Sequence, residues 1–231
     1  MVQTQLTRDY PLVKTKILVL DASQSTDGLA ERVCECIGDT RLKVLINNVG
    51  GQGGLTRKTY QTLIESTGEE VDIIINLNAR FTTQLTRVLL PYLTHNTPSL
   101  IMNISSNATI GLPYLSVYGG SKGYIDSFTR ALSAEMRAEG KDVEVMGIRV
   151  GSVQSSGNDV AGGFFIPTSR RMAKAALERV GCGRMMVSAF WPHALQVGLA
   201  EMLPEGWLRE IGIRTVRGLK ILKEEKEKRQ K

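Results

Sequence analysis

Short apolar runs alternate with amphipathic stretches along this chain. Residues 16–20 (KILVL), 43–46 (KVLI), 99–104 (SLIMNI) and 143–150 (VEVMGIRV) are nearly continuous apolar runs of strand length, and 184–188 (RMMVS) is a shorter one. Continuous rather than alternating runs are what strands buried on both faces of a parallel sheet require. Between them the apolar period becomes helical. Leu29, Val33 and Ile37 share one face of a predicted helix over 25–37. A long helical region spans about 60–92, broken near Gly68, and further helices cover about 117–139 and 169–180. A Gly/Ser-rich loop occupies 151–163. Strands alternating with helices predict an α/β domain, a doubly wound parallel sheet. Ligands of such sheets bind beyond the carboxyl ends of the strands. Asp21, Asn47 to Gly51, Ser105 and Gly151 all stand just after apolar runs.

Composition narrows the function classes. The chain has 231 residues, enough for one such domain, with 42% hydrophobic and 23% charged residues. The net charge is +6, but the six Lys/Arg and three Glu of 220–231 put +3 of it in the tail. That local excess argues against nucleic-acid binding. Three cysteines (Cys34, Cys36, Cys182) and two histidines (His95, His193) form no disulfide framework or metal-ligand pattern. A reduced intracellular compartment suits them. The opening residues carry no signal-peptide core, and no apolar stretch has the length of a transmembrane helix.

The chemistry concentrates at Tyr118-Gly119-Gly120-Ser121-Lys122. Positions four apart share a helix face, so the phenol and the ammonium can share a site. A nearby ammonium favours phenolate, and a phenol tuned in this way can exchange a proton with a carbonyl oxygen. Ser105 lies 13 residues before Tyr118, directly after the SLIMNI run, where a hydroxyl can bond the same oxygen. The small residues of Asn47-Asn48-Val49-Gly50-Gly51 allow a flat ligand close to the backbone. Asn78 lies within a helix, 13 residues before Pro91, and its amide can bind water or a backbone carbonyl.

The set NNVGG, INLN, NISS and YGGSK, in this order and spacing over roughly residues 7–190, resembles the short-chain dehydrogenase/reductase family. The resemblance implies a Rossmann-like fold and a catalytic tetrad of Asn78, Ser105, Tyr118 and Lys122. In it tyrosine moves the proton, lysine binds the nicotinamide ribose, serine positions the carbonyl and asparagine holds a relay water. It further implies cofactor contacts from Asp21 to adenine, from Asn47 and Gly50 beneath the adenine ribose, and from Ser155 to the carboxamide. The family's Pro-Gly after the next strand is replaced here by Val150-Gly151. The segments INLNARFTTQLTRVLLP, IPTSRRMAKAALERVG and WPHALQ resemble very-long-chain 3-oxoacyl-CoA reductases and related hydroxysteroid dehydrogenases. That likeness implies NADPH (NAD as the alternative), a ketone or 3-oxoacyl substrate, and the cytosolic face of the endoplasmic reticulum. Dimerisation through the long helices is a further implication.

One family element is missing from the sequence. No TGxxxGIG turn occurs, and only Gly28 and Gly38 precede residue 47. GGQGG at 50–54 reads as the ordinary loop after the NNVG strand. The expectation is therefore a sheet without the family's first strand, first helix and second strand, open between the runs ending at Asp21 and Asn47. Weak NADPH binding follows from the absent pyrophosphate cradle. The residue that distinguishes NADP from NAD falls in the same missing part, so the NADPH preference rests on the likeness alone. Residues 1–190 form the incomplete dehydrogenase domain on this reading. Residues 191–231 form a cap or membrane-peripheral helix with a basic tail, anchored by Trp191 and Trp207, and His193 is a surface or cap residue. The competing reading is an inactive family member acting as scaffold or dimerisation partner.

Overall fold

The computed structural model describes residues 2–229, other than 25, 53–55, 156 and 159. Among the described residues, four parallel strands form one sheet in sequential order: β1 (Val44–Asn47), β2 (Ser99–Ser106), β3 (Val143–Val150) and β4 (Met186–Val187). The register pairs Val44 with Leu100 and Leu100 with Glu144. The α-helices that surround or flank it are α1 (Val2–Asp9), α2 (Leu29–Ile37), α3 (Gly68–Ile75), α4 (Phe81–His95), α5 (Ser116–Ala138), α6 (Ser169–Leu177), α7 (Trp191–Glu201) and α8 (Glu205–Arg229).

The expected break near Gly68 is a helix start. Thr67 caps α3, and Glu70 bonds back to the Thr67 backbone, a reciprocal capping box. Between α3 and α4, Asn76–Arg80 forms a π-helical turn. Such insertions recur at functional sites, and this one carries Asn78.

Strand alternation divides the core in two. Ile101, Val143 and Val145 face α2, α4 and α5 with Val33, Leu93 and Leu132. Leu100, Met102, Met146 and Ile148 face the opposite side with Met172, Ala176 and Phe190. A chain of buried polar side chains crosses the first interface. Asn47 Nδ2 donates to Thr86 Oγ1 (3.0 Å) and Asn103 Oδ1 (2.7 Å), and Asn103 Nδ2 donates to Thr129 Oγ1 (2.9 Å). It ties β1, β2, α4 and α5 together with its amides satisfied.

The expected strand at 16–20 is not one. Leu18 and Leu20 pack on the core beside α2, whereas Ile17 and Val19 are exposed and no ladder among the described residues includes them. An apolar run becomes a strand only where a neighbouring strand takes up its backbone groups. Among the described residues β1 pairs with β2 alone, and its Val44 and Ile46 are exposed, so the sheet ends at β1 instead of opening between two strands as expected.

Candidate active site

A cavity of 510 Å³ opens at the carboxyl ends of β2 and β3, between the first turns of α5 and α6. Tyr118, Lys122, Ser105, Ser106, Val150 and Ser155 line it, and so does Gly50 from the loop after β1. The cleft lies where a parallel sheet presents its loops.

Lys122 is buried at 4% exposure, and its Nζ donates to the Ile104 carbonyl at 2.8 Å. Burial lowers its pKa to about 8, opposed by the Asp126 carboxylate one helical turn on. Asp126 is itself held by Arg149 at 2.7 Å. Two of the three ammonium donors have no acceptor among the described residues.

Tyr118 departs from the sequence expectation. Burial pushes its phenol pKa up, and no ammonium lowers it, since Lys122 points to Ile104. The phenol is therefore firmly protonated. Its only lowering influence is a hydrogen bond to the side chain of Ser106.

Two adjacent serines, Ser105 and Ser106, line the cleft where the sequence expected Ser105. Successive strand residues face opposite sides, so the two hydroxyls differ in their surroundings. Ser105 is 2% exposed, in phase with Ile101 and Asn103, and its Oγ donates to the Lys122 carbonyl at 3.3 Å. Ser106, at the strand's last position, bears the side chain that lowers the Tyr118 pKa through a hydrogen bond. Its Oγ also accepts from Ala108 N–H at 3.1 Å and so caps the turn leading to α5. Thirteen-residue spacing favoured Ser105. Counting strand phase from Ile101 puts Ser105 on the α5 side and Ser106 on the other.

Asn78 is fully buried. Its Nδ2 donates to Gly51 O (2.8 Å) and Ile74 O (2.9 Å), and its Oδ1 accepts from Gly51 N–H (2.9 Å). This double clasp holds the loop after β1 against the π-turn. A Cβ on Gly50 would lie 2.7 Å from Lys122 Nζ and 2.8 Å from Asn78 Oδ1. Only glycine lets the backbone come this close to Lys122.

The remaining expected cofactor contacts divide. Val150 and Ser155 are in the cleft wall, Ser155 pairing through its backbone with Asn158. The Asn47 side chain is turned away, into the buried polar chain under the sheet, so it reaches no ligand in the cleft. Asp21 sits in a separate hollow beside Gln24 and Arg32, its carboxylate accepting from Ser23 N–H (2.9 Å) and Oγ–H (2.6 Å).

His193 is buried, not a surface residue. Gly151 N–H donates to its Nδ1 at 3.2 Å, which leaves the proton on Nε2, 3.0 Å from the Phe165 carbonyl. Burial lowers its pKa. The ring pins both ends of the 151–165 loop to α7 and reaches the cleft only through that loop. Its burial was missed because a histidine satisfied by two backbone groups leaves no sequence pattern.

The family model described as short chain dehydrogenase matches residues 5–161. The chain belongs to that family. A very-long-chain 3-oxoacyl-CoA reductase of Pyricularia oryzae is 28% identical over 216 residues, 90% of this chain and 61% of that protein. A very-long-chain 3-oxoacyl-CoA reductase-like protein of Arabidopsis thaliana is 30% identical, covering 90% of this chain and 67% of its own length. The chain thus spans about three-fifths to two-thirds of these relatives. Among solved structures, a 7β-hydroxysteroid dehydrogenase superposes with a TM-score of 0.75 at 20% identity, over 90% of this chain and 80% of that one. A short-chain dehydrogenase from Sphingobium yanoikuyae in complex with NADPH gives 0.65 at 20% identity, over 87% and 80%. Both likenesses show the Rossmann-like fold.

Proposed function

We propose that this short-chain dehydrogenase reduces the keto group of a 3-oxoacyl thioester or related lipid-like ketone, with NADPH as hydride donor. The convergence of the Tyr118 phenol, the Ser106 hydroxyl and the Lys122 ammonium in one cleft carries the reading. The names of the relatives support the substrate class.

The cleft residues fit the nicotinamide end of such a cofactor. Lys122 has donors to spare for ribose hydroxyls, at a point where Gly50 contributes no side chain. Val150 offers an apolar wall for a ring face, and the Ser155 hydroxyl suits a carboxamide. The glycine-rich TGxxxGIG turn that would take the pyrophosphate end does not occur within these 231 residues. The bound cofactor supplies a hydride. Ser106 holds the carbonyl oxygen by its hydroxyl while Tyr118, protonated at neutral pH as any phenol is and kept so by the shift of its pKa upward, donates the proton to that oxygen. Ser105 and Asn78 act as positioning residues, through the α5 backbone and the Gly50–Gly51 loop respectively.

The same reading places the protein at the cytosolic face of the endoplasmic reticulum, with 191–231 as a cap that touches the membrane surface. Among the described residues no helix is long and apolar enough to cross a membrane. Trp191 and Trp207 are 54% and 68% exposed, as interfacial anchors require. A second reading, a scaffold or dimerisation partner without turnover, is favoured by the β1 edge, which has no second partner strand among the described residues. Oxidation of NADPH by the full chain with a 3-oxoacyl-CoA separates the two. The reductase reading expects turnover that Tyr118→Phe abolishes. No turnover, or turnover indifferent to that substitution, selects the scaffold.

A further inference from the structure

A second cavity, of 360 Å³, lies between residues 58–60 and the far end of α8, away from the cleft. Lys58, Tyr60, Lys220, Lys223 and Lys228 line it, together with a single carboxylate, Glu224. Positions 220, 223, 224 and 228 fall on one face of α8. The charges there are incompletely compensated. Lys58 pairs with Glu65 at 3.2 Å, and Lys220 reaches Glu224 only at 4.0 Å. Lys223 and Lys228 make no ion pair among the described residues. Four ammonium groups gathered about a hollow repel one another unless an anion enters it.

The hollow is built, not merely a charged surface. Buried Glu70 fixes the loop that bears Lys58 and Tyr60, accepting from Arg57 N–H (2.8 Å), Thr67 N–H (2.9 Å) and Gln61 Nε2 (3.2 Å). Gln52 Nε2 adds a bond to Thr59 O at 2.8 Å. Burial keeps the Tyr60 phenol protonated, a neutral donor beside the lysines. On the other side, α8 is fastened to the loop that joins Ser106 to Tyr118. Lys220 Nζ stands 4.6 Å over the Tyr114 ring, and a Cβ on Gly212 would touch Leu112 at 3.3 Å. The basic hollow and the proton-donating tyrosine therefore share one connection.

We infer that this hollow binds a polyphosphorylated group, the phosphate-bearing end of coenzyme A. Its volume, near the lower end of small-molecule pockets, admits a group of that size, and its lining of four lysines with Thr59 and Tyr60 suits phosphates and not an acyl chain. The choice of coenzyme A rests on the thioester reading above, whereas phosphate recognition rests on the lysines alone. Calorimetry of the full chain with free coenzyme A and with 3′-dephospho-coenzyme A tests it, since neither ligand needs turnover. Coenzyme A should bind more tightly than the dephospho form. Its affinity should fall about tenfold or more with Lys223→Glu plus Lys228→Glu, both at exposed positions, and fall with added salt. Lys174→Glu, on α6, should leave it unchanged. Vesicles of phosphatidylcholine with phosphatidylserine form the second arm. Vesicle binding that is lost in the double variant, with no coenzyme A binding, overturns the proposal in favour of a lipid headgroup. Absent coenzyme A binding, or binding indifferent to the double variant, also overturns it. Coenzyme A binding that depends on the lysines in a protein without NADPH turnover supports this site and counts against the reductase reading alone.

Discussion

Replacing Lys122 by methionine should stabilise the fold at neutral pH while removing the group that meets the ribose. The ammonium is buried at 4% exposure, and desolvation takes its pKa from 10.5 to about 8. That displacement corresponds to about 3 kcal/mol against the charged form. The bond to Ile104 O returns about 1 kcal/mol. A methionine side chain fills similar space without a charge, so Lys122→Met is expected to gain a net of about 2 kcal/mol below pH 8. The sign reverses with pH. Between the folded value of about 8 and the unfolded 10.5, the unfolded chain binds more protons, so wild-type stability rises with pH in that window. The advantage of Lys122→Met should shrink across it and end near or below zero. Urea unfolding of both proteins at a series of pH values reads the difference directly. A difference that stays flat from pH 7 to 10.5, or a wild type more stable at pH 7, would refute the view that this lysine is held charged at a cost.

Two other substitutions probe the scaffold. Glu70 has its pKa lowered to about 2, first by the Arg57 backbone N–H, then by Thr67 N–H and the Arg57 guanidinium. Its contribution is complete above the unfolded value of 4.5 and is lost as pH falls toward 2. Glu70→Gln should therefore lower stability at pH 7 and flatten the acid limb of the unfolding midpoint against pH; an unchanged acid limb would contradict the loop-anchor role. Gly151→Ala places a Cβ 2.8 Å from His193 Nε2, on a ring tied at both nitrogens. A loss of about 1–3 kcal/mol is expected, with partial relief when His193→Ala is added. Simple additivity in that double-mutant cycle would deny the contact.

Much of the fold was legible because burial dictates it. Runs such as SLIMNI and VEVMGIRV are apolar on both faces, and both proved to be strands covered on both sides. The start of α3 was readable in Thr67 and Glu70, whose side chains satisfy the helix's first donors locally. Residues 16–20 show where composition stops: KILVL has strand chemistry but no neighbour to pair with, so only Leu18 and Leu20 are held. At the site, Tyr118 and Lys122 follow from helix periodicity, but the share of Ser105 and Ser106 in the cleft depends on how β2 ends, which spacing alone does not fix. Asn47 was misread for a different reason. Its amide serves a polar chain whose members, Thr86, Asn103 and Thr129, are scattered through the sequence and meet only in three dimensions.

The central claim is that the half-buried phenol of Tyr118 is held by Ser106 in the cleft that Lys122 lines. Tyrosine-ζ-carbon NMR titration of the wild type, Ser106→Ala and Ser105→Ala tests it most directly. Tyr118 should titrate above the ordinary phenol value in the wild type and higher still in Ser106→Ala, since the hydrogen bond that lowers its pKa is gone. Ser105→Ala should leave it in place. A Tyr118 signal that moves with Ser105 and ignores Ser106 would contradict the arrangement on which the reductase reading stands.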